Sequence, residues 1–340
     1  MKVITLAVNL SGTAHVIHQA WANAIESRIV RYLPRWMLLI ARKSPLLQII
    51  CCAAYAPFLP SADVYFLDGI AATPMLFFRK PKKVICINSD TFFRDIEKKP
   101  GFLKKFYLFP LRRVDGFIST SNMMVKLASK YFSVPNEVVY PFVDMSQFGS
   151  ISAPKDTHNI IAISGMDNSK ASDIAVDAFE IVKKVFPDAK LLLVAEEESV
   201  HKKRSYYKKL KSLNIEIKGY CDMSKLFGSY SVLLNSSRHD SFGATIIEAM
   251  AAGLIPVITK NCGAKEIVKT IEPNFIRDVD AKDLAKGIID VFRIKDKKKI
   301  IAKLKFASRK YTKERSCQAF KTAFAKVIHE IDNAKKTRIF

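Results

Sequence analysis

The chain has 340 residues, 49% of them hydrophobic, and carries 55 lysines and arginines against 32 aspartates and glutamates, a formal charge of +23. Such apolar content excludes a disordered polyelectrolyte, and the length exceeds one ordinary core and fits two. The charge draws the chain toward anionic surfaces, and the six cysteines show no spacing of a metal-ligand framework.

Residues 1–25, MKVITLAVNLSGTAHVIHQAWANAI, read as an apolar strand, a short Ser-Gly loop and a helix with apolar residues at helical spacing. Gly12 falls where the backbone turns from strand into helix, a Rossmann-like opening that on its own is equally an ordinary turn. His15 and His18, on that helix, read as surface or packing residues rather than catalysts. Two later segments, RIVRYLPRWMLLIARK (28–43) and FLKKFYLFPLRR (102–113), set cations among Trp, Tyr, Phe and Leu. Two readings stay open for them: elements lying in the headgroup layer of an anionic membrane, or core helices with a basic outer face. The longest apolar stretch, Pro45 to Pro60, is shorter than the roughly 20 residues that span a bilayer and contains Pro57. Lys2 is followed by a strand pattern rather than a secretory signal. The expectation is a cytoplasmic protein, with peripheral attachment to the inner face of a membrane as the finer alternative. Cys51, Cys52, Cys86, Cys221, Cys262 and Cys317 are then expected to be reduced, buried thiols.

SADVYFLDG, PKKVICINSD and RVDGFISTS read as successive strands with polar or acidic ends. Asp90 closes the second of these and points toward a ligand crevice if the sheet is parallel. A domain boundary is expected near 149–157, GSISAPKDT, where small, polar and Pro residues separate apolar runs. Residues 158–195 then give strand, loop, amphipathic helix and strand, and VLLN (Val232 to Asn235) opens a second such unit. In that unit Ser236 to Gly243 is a polar loop, a small-residue helix ends at Gly253, and LIPVIT follows as the next strand. A βαβ unit places the loop at the carboxyl edge of a parallel sheet, where α/β proteins bind ligands. Asp240 stands before the helix and Glu248 about a turn and a half inside it, so both carboxylates line one crevice. Carboxylates only accept hydrogen bonds, which suits a ligand rich in hydroxyls. Gly243 lets the backbone approach a ligand, and the amides at the start of the helix form an anion site. Hydroxyl acceptors beside a phosphate cradle describe a nucleoside-diphosphate sugar; on these residues alone, a capping or solvated acid fits equally well. The tail 291–340 carries 16 basic and 4 acidic residues, a net +12, mostly helical and readable as a solvated face.

Ser236-Ser237, Asp240, Phe242-Gly243, Glu248-Ala249-Met250-Ala251, Gly253, Pro256-Val257, Gly263 and Glu266 stand in one register. The pattern resembles the donor-site signature of family 4 retaining glycosyltransferases. The resemblance implies an α/β chain of two Rossmann-like domains facing across a cleft, the GT-B fold. Residues 1–150 would form the acceptor-side domain, 151–312 the nucleotide-sugar domain, and 313–340 a helix packing back toward the first. It further implies a metal-independent, hexosyltransferase-like enzyme without cofactor, moving a sugar with retention from a nucleoside-diphosphate sugar to a hydroxyl of a glycan or lipid-linked acceptor. Asp240 would contact the transferred sugar, Glu248 the ribose hydroxyls, Phe242 and Gly243 the donor, and Lys170 with Gly165 and Gly12 the diphosphate. Asp90 would touch sugar or acceptor. Lys170 otherwise reads as an exposed loop lysine. Asp240, Lys170 and Asp90 are the catalytic candidates, and no metal ligands are expected. Three departures stand out: Asp240 replaces the usual Glu, Met166 stands in place of Arg, and Ala171 in place of Gly. They put the donor sugar, and activity itself, in question.

Two other classes remain open at this stage. One is a GT-B enzyme of different reaction, such as a nucleotide-sugar epimerase, which needs cleft acids and histidines suited to proton transfer. The other is a non-catalytic basic protein of nucleic acid or membrane. A charge of +23 makes weak, salt-sensitive nucleic-acid binding hard to avoid, but no recognition motif accompanies it, so that binding is read as incidental.

Overall fold

The computed structural model describes all residues except 8–12, 42, 80, 155, 164–168, 196–203, 220 and 338–340. They divide into two compact units, Met1–Pro141 with Lys313–Phe340, and Phe142–Thr312. Each is built on a six-stranded parallel sheet. The central strands of each sheet are short and mostly buried and apolar, as expected where helices cover both faces of a parallel sheet, whereas the edge strands carry charged residues.

In the first unit the strands are β1 (Val3–Ala7), β2 (Arg28–Arg31), β3 (Val64–Leu67), β4 (Lys83–Asn88), β5 (Gly116–Ser119) and β6 (Asn136–Val138), in the order β2-β1-β3-β4-β5-β6. The chain leaves β1 toward one edge and returns to its other side as β3, so the carboxyl ends of β1 and β3 flank the switch point where ligands collect in such sheets. The segment 28–43 is not one element: Arg28–Arg31 pairs with β1 as the edge strand, and the helix is confined to Arg35–Ala41. Pro34 separates the two by denying the preceding residue a helical conformation.

The helix Lys313–Thr337 completes this unit. Its Phe320, Ala323, Phe324, Val327 and Ile331 are buried, the spacing of one helical stripe. Phe320 stacks on Trp21 with centroids 5.1 Å apart and meets the edge of Phe66 at 5.3 Å. The Trp21 indole donates to the Ser316 hydroxyl at 3.0 Å, which in turn donates to the Tyr140 carbonyl at 2.8 Å. At Gly116, on β5, a Cβ would lie 2.5 Å from a methyl of Val327, so the helix approaches this strand as only glycine allows.

In the second unit the strands are β7 (Asn159–Ile163), β8 (Lys190–Val194), β9 (Glu216–Lys218), β10 (Val232–Asn235), β11 (Ile255–Thr259) and β12 (Ile276–Arg277). Their order, β12-β11-β10-β7-β8-β9, has its switch point between β7 and β10. The sixfold expectation of buried cysteines holds for Cys51, Cys52, Cys86 and Cys262, whereas Cys317 is half-buried and Cys221 exposed. Cys221 lies in the polar connection after β9, outside any apolar run. No helix among the described residues is long and apolar enough to cross a membrane.

Ala171 caps the helix Ser172–Val185 with φ +51°, a left-handed conformation, and is fully buried. That conformation costs an alanine about 1–2 kcal/mol relative to glycine, which explains physically why a glycine suits this position. Ala171→Gly should raise the melting temperature, by a gain of about 0.5–1 kcal/mol once the greater freedom of glycine in the unfolded chain is subtracted. Thermal unfolding of the two proteins at matched pH checks this.

Candidate active site

Three loops meet at the carboxyl edge of the second sheet. The loop after β10 is tied to the loop after β7 by backbone and side-chain hydrogen bonds: the Arg238 amide donates to the Ser169 carbonyl at 2.7 Å, and the Ser236 hydroxyl to the carbonyls of Ala171 at 2.9 Å and Lys170 at 3.1 Å. On its other side it is tied to the loop after β11. The amides of Asp240 and Gly263 exchange bonds with the carbonyls of Asn261 and Asp240, both at 3.0 Å, and the Ala264 amide donates to the Phe242 carbonyl at 2.7 Å. Arg238 adds a bidentate pair with Asp173, at 3.0 and 2.6 Å, which holds the Asp173 carboxyl below its usual range.

These ties place Lys170 and Asp240 together. The Lys170 Nζ lies 2.9 Å from Asp240 Oδ2, which also accepts from the Asn235 amide at 3.2 Å. Asp240 is largely buried, while Lys170 is about a third exposed. The ion pair stands where the loops after β7 and β10 meet.

Gly243 follows directly, with φ +83°, and begins the helix Ala244–Ala252. A Cβ there would meet Ile246 at 2.8 Å and the Cys262 sulfur at 2.9 Å, so the residue is glycine for both conformation and space. Beneath it the Cys262 thiol donates to the Phe242 carbonyl at 3.1 Å, and burial pushes that thiol well above its usual pKa. The helix buries Ile246, Ile247, Ala249, Met250 and Ala251, and Glu248 is its one charged residue. Burial raises the Glu248 carboxyl from 4.5 to about 7.

Gly12 and Gly165, expected at the diphosphate, lie outside the described residues, as does Met166. Asp90 belongs to the first unit, two residues past β4. Its Oδ1 accepts from the Phe92 amide at 2.8 Å, and burial raises its pKa against the opposing pull of the Phe92 and Ile70 amides.

Beside Asp90 the structure reveals a pair that the sequence conceals. His18 Nδ1 and Asp68 Oδ1 are hydrogen-bonded, both residues are buried, and the imidazole stacks over Trp21 with centroids 5.6 Å apart. Asp68 directly follows β3 and His18 rides on the helix after β1, so the pair stands at the switch point of the first sheet. The sequence reading set His18 aside as a packing residue; its only hint was an acid closing SADVYFLDG, just as Asp90 closes PKKVICINSD.

Residues 157–293 match the family Glycosyl transferases group 1. Among curated proteins, the mannosylfructose-phosphate synthase of Agrobacterium fabrum is 28% identical over 116 residues, 31% of this chain and 26% of that protein. The GtfA subunit of the UDP-N-acetylglucosamine–peptide N-acetylglucosaminyltransferase of Streptococcus gordonii is 22% identical over 209 residues, 58% of this chain and 41% of that one. The chain therefore spans between a quarter and about two-fifths of the length of these relatives. Among solved structures, HepE of Anabaena in complex with UDP-glucose superposes with a TM-score of 0.74 at 15% identity, over 96% of this chain and 100% of that one. Sucrose-phosphate synthase of Thermosynechococcus elongatus gives 0.74 at 13% identity, over 97% and 100%. With two parallel six-stranded Rossmann-like sheets and these neighbours, the chain has the GT-B fold.

Because the Glu248 carboxyl is harder to ionise folded than unfolded, the native state binds more protons between pH 4.5 and about 7. Stability of the ligand-free protein then falls as pH rises through that window, by at most about 3 kcal/mol. Glu248→Gln removes the titration, so the variant should be more stable than the parent at pH 8 and show a flatter profile. Denaturant unfolding across the pH range measures both.

Proposed function

From a glycosyl transferases group 1 segment at 157–293 and the GT-B fold, we propose that the chain is a retaining glycosyltransferase that moves a sugar from a nucleoside-diphosphate sugar to an acceptor hydroxyl. The observation that carries this reading is the arrangement of Lys170, Asp240, Gly243 and Glu248 at the switch point of the second sheet. Glu248 accepts from the ribose hydroxyls and Asp240 from hydroxyls of the transferred sugar. The diphosphate lies against Lys170 and the amides that open the helix Ala244–Ala252. UDP is the first nucleotide to test, since HepE was crystallised with UDP-glucose.

The acceptor oxygen bonds to the anomeric carbon on the face from which the diphosphate departs, as the bond from that carbon to the diphosphate oxygen breaks. The acceptor proton passes to the departing diphosphate. Lys170 offsets the charge that develops there, the role cationic clamps play in stabilising leaving groups.

Binding of a nucleotide sugar raises the melting temperature by mass action. A panel of UDP-, GDP-, ADP- and dTDP-sugars should produce a shift with one donor, in the presence of EDTA as without it. Glu248→Ala should abolish most of that shift, whereas Asp240→Ala should retain it and lower transfer by about a hundredfold or more, the scale of one transition-state contact. Full activity in both variants would refute the donor site. Because the ribose hydroxyls need the ionised form of Glu248, donor affinity should rise with pH through about 7 in the parent.

The acceptor is proposed to be presented at an anionic membrane. Among the described residues, ten of the fourteen exposed large hydrophobics lie between residues 36 and 109, including Trp36, Phe58, Phe102 and Phe106. Exposed Arg35, Lys43, Lys98, Lys99, Lys105 and Arg112 stand among them in the chain. Apolar anchors flanked by cations fit the headgroup layer of anionic lipid. The protein should sediment with vesicles containing phosphatidylserine and not with neutral ones, and Phe102→Ser/Phe106→Ser should release it. Retention of the double variant, or equal binding to neutral vesicles, would count against the surface.

A further inference from the structure

The first unit contains a cavity of ≈ 220 Å³ between the helix Pro45–Tyr55, the 3-10 helix Ile70–Phe77 and the helix Gly101–Leu108. Ile49, Ile70, Pro74, Phe77 and Phe106 give it apolar walls, and Asp90 is the charged residue that lines it. Two polar side chains of the wall are engaged: the Gln48 amide donates to the Ala71 carbonyl at 3.0 Å, and the Thr73 hydroxyl to the Ile70 carbonyl at 2.7 Å. The first of these bonds also pins the helix to the 3-10 segment, and Phe77 stacks on Phe109 at 5.5 Å to hold the opposite wall.

An apolar cavity of about 150 Å³ is enough to hold a benzene ring, so this one has room for a hydrocarbon segment. Its chemistry is narrow. The walls offer mainly dispersion contacts, with the Tyr107 hydroxyl and the Gln48 side chain as the neutral polar groups among them. Asp90 supplies the charge. Its carboxylate, which accepts from the Phe92 amide, has about four lone-pair sites and so retains capacity for a hydroxyl donor.

The walls also continue outward. The helix Pro45–Tyr55 exposes Leu46 and Ile50, and the helix Gly101–Leu108 exposes Phe102 and Phe106, the last of which also lines the cavity. Lys105 is exposed on the same short helix, and Lys98, Lys99 and Arg112 flank it in the chain. An alkyl chain leaving an anionic interface therefore meets apolar surface from the membrane side to the cavity, with cations for its headgroup.

We infer that this cavity receives the hydrocarbon chain of a hydroxyl-bearing amphiphile, whose hydroxyl donates to the Asp90 carboxylate. Only the further role of the amphiphile, as the acceptor of the sugar, rests on the transferase reading. The acceptor class is then an alcohol attached to a lipid-like chain rather than a free sugar, a nucleotide or a peptide.

The experiment is a calorimetric titration of the full chain with monomeric n-alkyl β-glucosides of increasing chain length, each below its micelle concentration. Affinity should climb about fourfold per buried methylene, then level off once the cavity is full. Ala71 lines the cavity on its exposed rim, so Ala71→Phe fills the opening without burying a new group in the core. That variant should lose the chain-length dependence, whereas Phe102→Ser, on the outer surface, should keep it. A flat series, or a dependence that survives Ala71→Phe and disappears in Phe102→Ser, would overturn the inference. The UDP-glucose thermal shift, read in parallel, separates the two readings. Chain-length dependence without any nucleotide-sugar shift keeps the cavity and loses the transferase, and a nucleotide-sugar shift with a flat series loses the cavity alone.

Discussion

The hydrogen bonds that join the loop after β10 to the loops after β7 and β11 are the constraint from which the candidate site follows. Parallel strands deliver all three loops to the same edge of the sheet, but delivery alone leaves each loop free to choose its conformation. The Ser236 hydroxyl on the Lys170 and Ala171 carbonyls, and the Arg238 amide on Ser169, remove that freedom. Once they are formed, Lys170 and Asp240 come within 2.9 Å although 70 residues separate them. The same contacts hold Ala171 in its left-handed conformation and bring Gly243 over Cys262, with no space for a side chain. The site is rigid because its backbone is bonded, and its charges sit where that backbone puts them.

Burial sets the chemistry within that frame. Glu248 is titrated toward neutrality by its surroundings alone, while Asp240 has Lys170 and Asn235 as partners. Two carboxylates of one crevice are thereby made different: one is paired with a cation and an amide, the other awaits hydroxyl donors to favour its charge. The first unit repeats the theme with other residues. There His18 and Asp68 share a hydrogen bond at the sheet's switch point, and Asp90 faces an apolar cavity.

Legibility in the sequence tracked how local each feature is. The βαβ alternation and the two-sheet architecture could be read because apolar strands and helical periodicity are encoded within short windows. Asp240, Phe242, Gly243 and Glu248 could be singled out because they share one loop and one helix turn. The His18–Asp68 pair could not, since 50 residues separate them and only the order β2-β1-β3 makes their strands neighbours. The segment 28–43 misled for the opposite reason: its composition is uniform, but Pro34 divides it into a strand and a helix that face different neighbours. The apolar cavity is likewise assembled from four separate segments, none of which bears a motif.

The first unit is discontinuous: its sheet lies within residues 1–141, yet the helix Lys313–Thr337 supplies Phe320, Phe324 and Val327 to it. During synthesis the second unit, an uninterrupted stretch, has all of its parts before the first does. Until the last helix is made, Trp21 and Phe66 lack the rings they pack against and Gly116 lacks the methyl that fills the space beside it. The nascent chain must therefore carry an apolar face on its earliest strands through the translation of about half its length, at the usual rate of roughly 5–20 residues per second. Such a delay leaves the first sheet open for longer than the second, and it makes the synthesis of the helix Lys313–Thr337 the step that seals the amino-terminal core.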